Sequence, residues 1–284
     1  MKRFRFFSSG LFASLVLFGA GLRAEAESMA DRTLKQIAER QRTLLEDAVK
    51  QGDKLDAETF RSQVQDLSHS YERLLQDNPK FAAAYASYGY LLRKVDMRKE
   101  AAAMLLKANQ YDSDIPLVKN QLGNLLAEDG KPREALPYFI AAVKLVPGEA
   151  LYHYQLGTLL YEARDDFLKS GEWTRPALDQ AMHEAFKRAA ELAPERFEFG
   201  YRYGESFYDL EKPDWDAALK VWGALEEKAG TAIERETLRL HAANVLLKQG
   251  RPDQAKFLLN SVTEPELQAQ KQKLIAPPTQ TEKK

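Results

Sequence analysis

The residues that could support catalysis are few and scattered in this sequence. The four histidines are His69, His153, His183 and His241. They lie on different predicted helices, and none has a second ligand at a metal-binding spacing. His183-Glu184 begins like the helix of a zinc protease, but Lys187 stands where the second histidine would return.

Other catalytic signatures are missing as well. The sequence contains no P-loop, no nucleotide-binding glycine motif and no Gly-x-Ser-x-Gly elbow. It has no cysteine, which removes thiol nucleophiles, zinc knuckles and disulfide frameworks. We therefore predict a protein that is not an enzyme and that needs no cofactor and no metal.

The first 26 residues form a segment of their own. Lys2, Arg3 and Arg5 precede an apolar run over residues 6–22, and Ala24-Glu25-Ala26 then supplies small residues before a polar stretch. This layout predicts a signal peptide cleaved after Ala26 and an exported, periplasmic or extracellular protein without membrane contact after cleavage. The alternative is an uncleaved membrane anchor, for which the run is short and is interrupted by small polar residues.

Composition and charge favour a packed helical protein. The 284 residues are 44% hydrophobic and 29% charged, with a formal charge of −1. Residues 1–26 carry four basic residues and one acidic residue, so their removal leaves 37 basic and 41 acidic residues and a charge of −4. Such a surface has no general attraction for nucleic acid.

A repeat of 34 residues organises the rest of the chain, since Gly89, Gly123 and Gly157 recur at that interval within helical stretches. The copy around Gly123 shows a pattern of small, bulky and aromatic residues: Leu122, Gly123, Leu126, Ala135, Phe139, Ala142 and Pro147. This pattern resembles the tetratricopeptide repeat (TPR). The resemblance implies an all-α superhelix, an α-solenoid of antiparallel helix pairs whose small residues let each pair approach closely.

The repeats place the boundaries of the chain. We expect about five repeats over residues 81–264, with an insertion of about thirteen residues near 163–180. In the fourth copy, Ala217, Val221 and Ala224 are the predicted second-helix markers. Residues 27–80 should form a helical hairpin, a degenerate leading repeat, although a coiled-coil segment is an alternative. Residues 265–284 are expected to form a mobile tail.

Two further predictions concern the start of one helix and the insertion. Asp96 is positioned to cap the second helix of the first copy. The insertion is interpreted either as a longer first helix with a loop whose Trp173 packs back on the repeats, or as a contact for a partner.

The resemblance also implies where a partner would bind, because first helices line the concave groove of such arrays. The groove residues in this register are Tyr90, Arg93, Asn120, Asn124, Tyr154, Tyr161, Tyr201, Glu205, Tyr208 and Asn244. Asn120 and Asn124 stand one helical turn apart, so their amides can pair with an extended peptide. The tyrosines are expected either to contact the ligand or to pack between successive repeats.

The predicted function is that of an exported scaffold or adaptor that binds a protein or peptide in this groove. One alternative is a self-assembling structural protein of the envelope. A remote alternative is an enzyme with a site near the insertion. The sequence leaves the oligomeric state and the identity of the partner open.

Overall fold

A computed structural model of the protein describes residues 28–275. The predicted signal segment, residues 1–26, and the last part of the predicted tail, residues 276–284, lie outside this range. The described chain is all-α, and no strand occurs within residues 28–275. It divides after Pro147 into two compact units.

The first unit consists of a leading hairpin and two helix pairs. Its helices are α1 (Met29–Gln51), α2 (Ala57–Asp77), α3 (Ala82–Lys94), α4 (Arg98–Tyr111), α5 (Pro116–Glu128) and α6 (Pro132–Leu145). The helices α1 and α2 lie in the range of the predicted leading hairpin and pack against each other. Tyr71 of α2 is fully buried, and its hydroxyl donates a hydrogen bond of 2.7 Å to Oε1 of Gln41 on α1.

The second unit continues the helix pairs as α7 with α9, α10 with α11 and α12 with α13. Its helices are α7 (Ala150–Glu162), α8 (Arg164–Lys169), α9 (Arg175–Leu192), α10 (Phe197–Ser206), α11 (Trp215–Glu226), α12 (Ala232–Lys248), α13 (Pro252–Asn260) and α14 (Gln268–Ile275). None of the helices within residues 28–275 combines the length and the apolar composition that a membrane crossing requires.

Small residues on first helices face large side chains on second helices, as the repeat pattern predicts. A Cβ atom on Gly123 would lie 3.1 Å from the Phe139 ring, and one on Gly157 would lie 2.8 Å from the Phe186 ring. These distances are tighter than ordinary side-chain contacts, so the glycines set how closely the paired helices approach.

The register predicted for the second helix of the fourth repeat is wrong by one residue. A Cβ atom on Gly204 would lie 2.6 Å from the Trp222 ring, and Trp222 is fully buried, whereas the predicted marker Val221 is only half-buried. Ala218 and Leu225 are buried in place of Ala217 and Ala224. The cause is a 3₁₀ turn over Phe207–Asp209 and a longer connection, which together move the second helix along the sequence.

The turn between α3 and α4 also differs from the prediction. Asp96 does not cap α4, because the residue that precedes this helix is Met97 and no side chain bonds to its first turn. Asp96 instead takes a positive φ of 62°, while Gly130 and Gly250 take 73° and 71° in the turns after α5 and α12. An aspartate therefore occupies a left-handed position that glycine adopts at lower cost.

The insertion folds as a separate helix and not as an extension of α7. Phe167 of α8 is buried, and Trp173 in the following turn is half-buried. Arg164 of α8 lies 3.0 Å from the buried carboxylate of Asp179 on α9. It also lies 3.1 Å from the carboxylate of Asp209. These contacts join the insertion to the repeats of the second unit.

The predicted tail is partly ordered. Residues 265–275 form a 3₁₀ turn and α14, with Leu267 buried against the last repeat. The Glu236 carboxylate accepts hydrogen bonds of 2.7 Å from the backbone N–H groups of both Thr263 and Glu264, and one of 2.9 Å from the Thr263 hydroxyl. The hydrogen bond from the backbone N–H of Glu264 is the main reason why the pKa of Glu236 lies below its usual 4.5. These bonds, which the tail prediction did not include, fix the segment to α12.

Candidate partner-binding surfaces on the first helices

Asn120 and Asn124 lie on α5, the first helix of the second full repeat. Asn120 is 1% exposed and Asn124 is 8% exposed, so the expectation that both amides stand open in a groove is wrong. The reason is that α5 packs on α3, α4 and α6, which together cover most of its circumference. Sequence spacing placed the two amides on one face of the helix but did not reveal how much of that face is covered.

The buried amides are incompletely hydrogen-bonded. Oδ1 of Asn120 and Oδ1 of Asn124 accept no hydrogen bond from any group in the described part of the chain. A buried acceptor without a donor costs about 1–3 kcal/mol of stability. Oγ of Ser87 and Oε1 of Gln155 are in the same position, so an unpaired buried oxygen is not particular to these two amides.

Arg93 joins two repeats. Its guanidinium pairs with the Glu128 carboxylate at the end of α5, and Arg98 pairs with the same carboxylate. Arg98 also lies 2.9 Å from Asp129. Arg93 is therefore neutralised by a structural ion network, and Glu128 and Arg98 are members that the sequence reading missed. A signal for them exists, because Arg93 and Glu128 are opposite charges separated by 35 residues, one more than the repeat interval.

Tyr90 is half-buried on α3, and the Lys94 ammonium lies 5.4 Å from its ring centroid. Burial raises the pKa of the Tyr90 hydroxyl, so the group stays protonated and can still donate a hydrogen bond. In the first unit, Tyr90 thus supplies aromatic surface with a polar tip.

The second unit carries an aromatic and charged surface around Tyr161, which is 41% exposed. The Arg202 guanidinium lies 4.2 Å from the Tyr161 ring centroid and donates a 2.7 Å hydrogen bond to Glu205. Tyr154, by contrast, stacks on Phe199 with ring centroids 4.6 Å apart, which is packing between successive repeats. For Tyr154, the structure therefore favours the packing alternative.

Tyr201 and Tyr208 surround His241 together with Trp222. The Tyr201 hydroxyl lies 2.9 Å from Nε2 of His241, and the Tyr208 hydroxyl donates a 3.2 Å hydrogen bond to the His241 carbonyl. The Trp222 ring stacks on the imidazole at 4.3 Å. Burial lowers the pKa of His241 to about 4 and raises that of Tyr208. This cluster packs repeats together, while the last predicted residue, Asn244, is half-buried nearby on α12.

His183 is also a packing residue. Its Nδ1 lies 2.8 Å from the Ser206 hydroxyl, which donates to the Tyr203 carbonyl at 2.7 Å, and the ring packs edge-on against Phe207. Burial lowers the pKa of His183. Among residues 28–275, no three His, Asp or Glu side chains converge in a way that could hold a metal ion.

Comparison with known proteins supports the repeat resemblance at the level of sequence. No family model matches the chain. A TPR repeat-containing protein of Treponema pallidum (strain Nichols) is 27% identical over 157 residues, which are 55% of this chain. The match spans only 19% of the length of that relative.

Solved structures show the fold. The similar ones include YrrB, a TPR protein with an unusual peptide-binding site, at a TM-score of 0.60 and 18% identity over 72% of this chain and 99% of that one. PilF of Pseudomonas aeruginosa has a TM-score of 0.53 and 15% identity over 85% of this chain and 100% of that one. PilW, a widely conserved type IV pilus biogenesis factor, has a TM-score of 0.50 and 13% identity over 85% of this chain and 99% of that one. The glycine contacts and these likenesses together show that the chain has the tetratricopeptide-repeat fold.

Proposed function

We propose that the protein is an exported, non-catalytic scaffold that binds a segment of a partner protein on the first-helix face of its second unit. The observation that carries this proposal is Tyr161 of α7, which is 41% exposed and has the Arg202 guanidinium 4.2 Å from its ring centroid. The similarity to YrrB supports it only through the fold, because what that protein binds does not transfer at 18% identity.

The surface around Tyr161 offers groups that a partner segment can contact. The Tyr161 ring presents apolar area with a polar tip, and Arg202 lies over it while donating a 2.7 Å hydrogen bond to Glu205. In the first unit, by contrast, Asn120 and Asn124 are covered by neighbouring helices and do not reach a ligand.

The proposal predicts a loss of binding without a large loss of stability. Replacing Tyr161 with serine removes an exposed ring and should lower the free energy of unfolding by no more than about 1 kcal/mol. The same change should abolish or strongly weaken partner capture. A matched control is Tyr111→Ser, which removes a tyrosine of similar exposure, 40%, from the first unit.

The experiment combines urea denaturation with crosslinking capture from envelope extract, followed by anisotropy with a peptide from the captured protein. A folded Tyr161→Ser variant that loses the peptide, beside a Tyr111→Ser variant that retains it, supports the proposal. Unchanged peptide binding by Tyr161→Ser contradicts it.

Export is the second part of the proposal. Its support is the basic start at Lys2, Arg3 and Arg5 followed by the apolar run of residues 6–22. Cell fractionation and N-terminal sequencing test it, and the expected mature chain begins at Glu27. Recovery of the intact chain in the membrane fraction favours the anchored alternative, and recovery from the cytosol contradicts export.

A further inference from the structure

Phe257 on α13 is the most exposed large apolar side chain among residues 28–275, at 77%. Its neighbours on the same helix, Ala255 and Leu259, are buried in the last repeat at 0% and 4%. Beside Phe257 lies a shallow apolar hollow whose walls are Leu246 and Leu258, with two polar residues, Asp253 and Gln254, at its edge. An exposed aromatic side chain and an apolar hollow are therefore adjacent on the pair of helices α12 and α13.

The charges around this patch are arranged with opposite signs. Asp253 stands one turn before Phe257, and Lys256 stands on the flank of the same exposed stretch. Neither forms an ion pair within the part of the chain that the structure describes. Both charges are thus available to a partner.

We infer that this face of α13 is a self-association surface that binds a second copy of the chain about a two-fold axis. In such a contact the same patch serves on both copies. If two α13 helices pair antiparallel about the level of Ala255, Phe257 of each copy enters the hollow at the level of Asp253 and Gln254 of the other. Lys256 of each copy then lies beside Asp253 of the other. One pairing therefore fills both hollows and matches both charges.

Analytical ultracentrifugation of the exported chain tests this inference. The wild-type chain should form a concentration-dependent dimer, and Phe257→Ser should be monomeric with the thermal melt of the dissociated wild-type chain. Asp253→Lys and Lys256→Asp should each weaken the dimer about tenfold, because the two-fold axis repeats each charge change. The double variant, which exchanges the two charges, should restore it. Ile233→Ser removes another exposed apolar residue, 41% exposed on α12, and should leave the dimer intact.

Three results overturn the inference: a wild-type chain that is monomeric at every concentration, a Phe257→Ser variant that still dimerises, or a charge exchange that fails to restore association. The inference is also overturned if the chain is a monomer and Phe257→Ser abolishes its binding to a different protein. The inference stands apart from the proposed partner site, because Tyr161→Ser should leave the dimer unchanged.

Discussion

The contact between Gly204 and Trp222 allows a quantitative test of the packing that defines the fold. In the Gly204→Ala variant, the new Cβ would lie 2.6 Å from the Trp222 ring, whereas ordinary Cβ contacts begin near 3.4 Å. The ring would have to retreat by the difference, about 0.8 Å. Trp222 has no exposed surface and stacks on His241 at 4.3 Å, so it cannot retreat without moving its neighbours. Overpacking of this kind costs about 1–3 kcal/mol.

Gly223 provides a matched control on α11, since a Cβ there meets nothing within 4 Å. Both substitutions gain about 1 kcal/mol of helix propensity, so the difference between them isolates the packing cost. Gly223→Ala should therefore raise the free energy of unfolding, and Gly204→Ala should lie about 1–3 kcal/mol below it. Urea denaturation followed by circular dichroism measures both. Equal changes in the two variants would refute the reasoning.

Three further predictions concern pH and local backbone. Burial lowers the pKa of His241 from 6.5 to about 4, so the unfolded chain binds a proton first as the pH falls. The free energy of unfolding should drop by up to about 3 kcal/mol across that interval. His241→Gln should remove this slope in urea melts and His69→Gln should keep it; a slope retained by His241→Gln contradicts the assignment. The pKa of Glu236 lies below 4.5. Its ionised carboxylate therefore contributes its full stabilisation of the folded chain above pH 4.5, and this contribution is lost as the pH falls through the lowered pKa. Glu236→Gln should already speed hydrogen exchange over residues 265–275 at neutral pH, and unchanged exchange would count against the proposed role. Asp96→Gly should raise the free energy of unfolding by about 0.5–1 kcal/mol in the same urea melts, because φ is 62° at that position; a lower value would show that Asp96 is not strained.

The fold was largely predictable because its determinants recur at a fixed interval. Gly123 and Phe139 stand sixteen residues apart, as do Gly89 and Leu105, and each pair is in contact. In the fourth repeat the corresponding residues, Gly204 and Trp222, are eighteen apart. The repeat pattern alone contains no information on the local 3₁₀ turn that accompanies this change.

The candidate site was less predictable. Helical periodicity correctly grouped Asn120 with Asn124 but said nothing about how far the surrounding helices cover them. Arg93 was predicted as a groove residue, and the structure pairs it with Glu128 on the next first helix. Such pairings depend on side chains that meet only after the repeats have stacked.

Short-range chemistry therefore determined the helical class, the repeat interval and the residues at which helices approach, because each depends on residue type and spacing along one segment. Tertiary packing alone decided which polar groups are satisfied, which tyrosines are enclosed and which aromatic remains exposed at 77%, namely Phe257. Burial and hydrogen bonding are properties of neighbours that are remote in sequence, and those neighbours exist only in the folded chain.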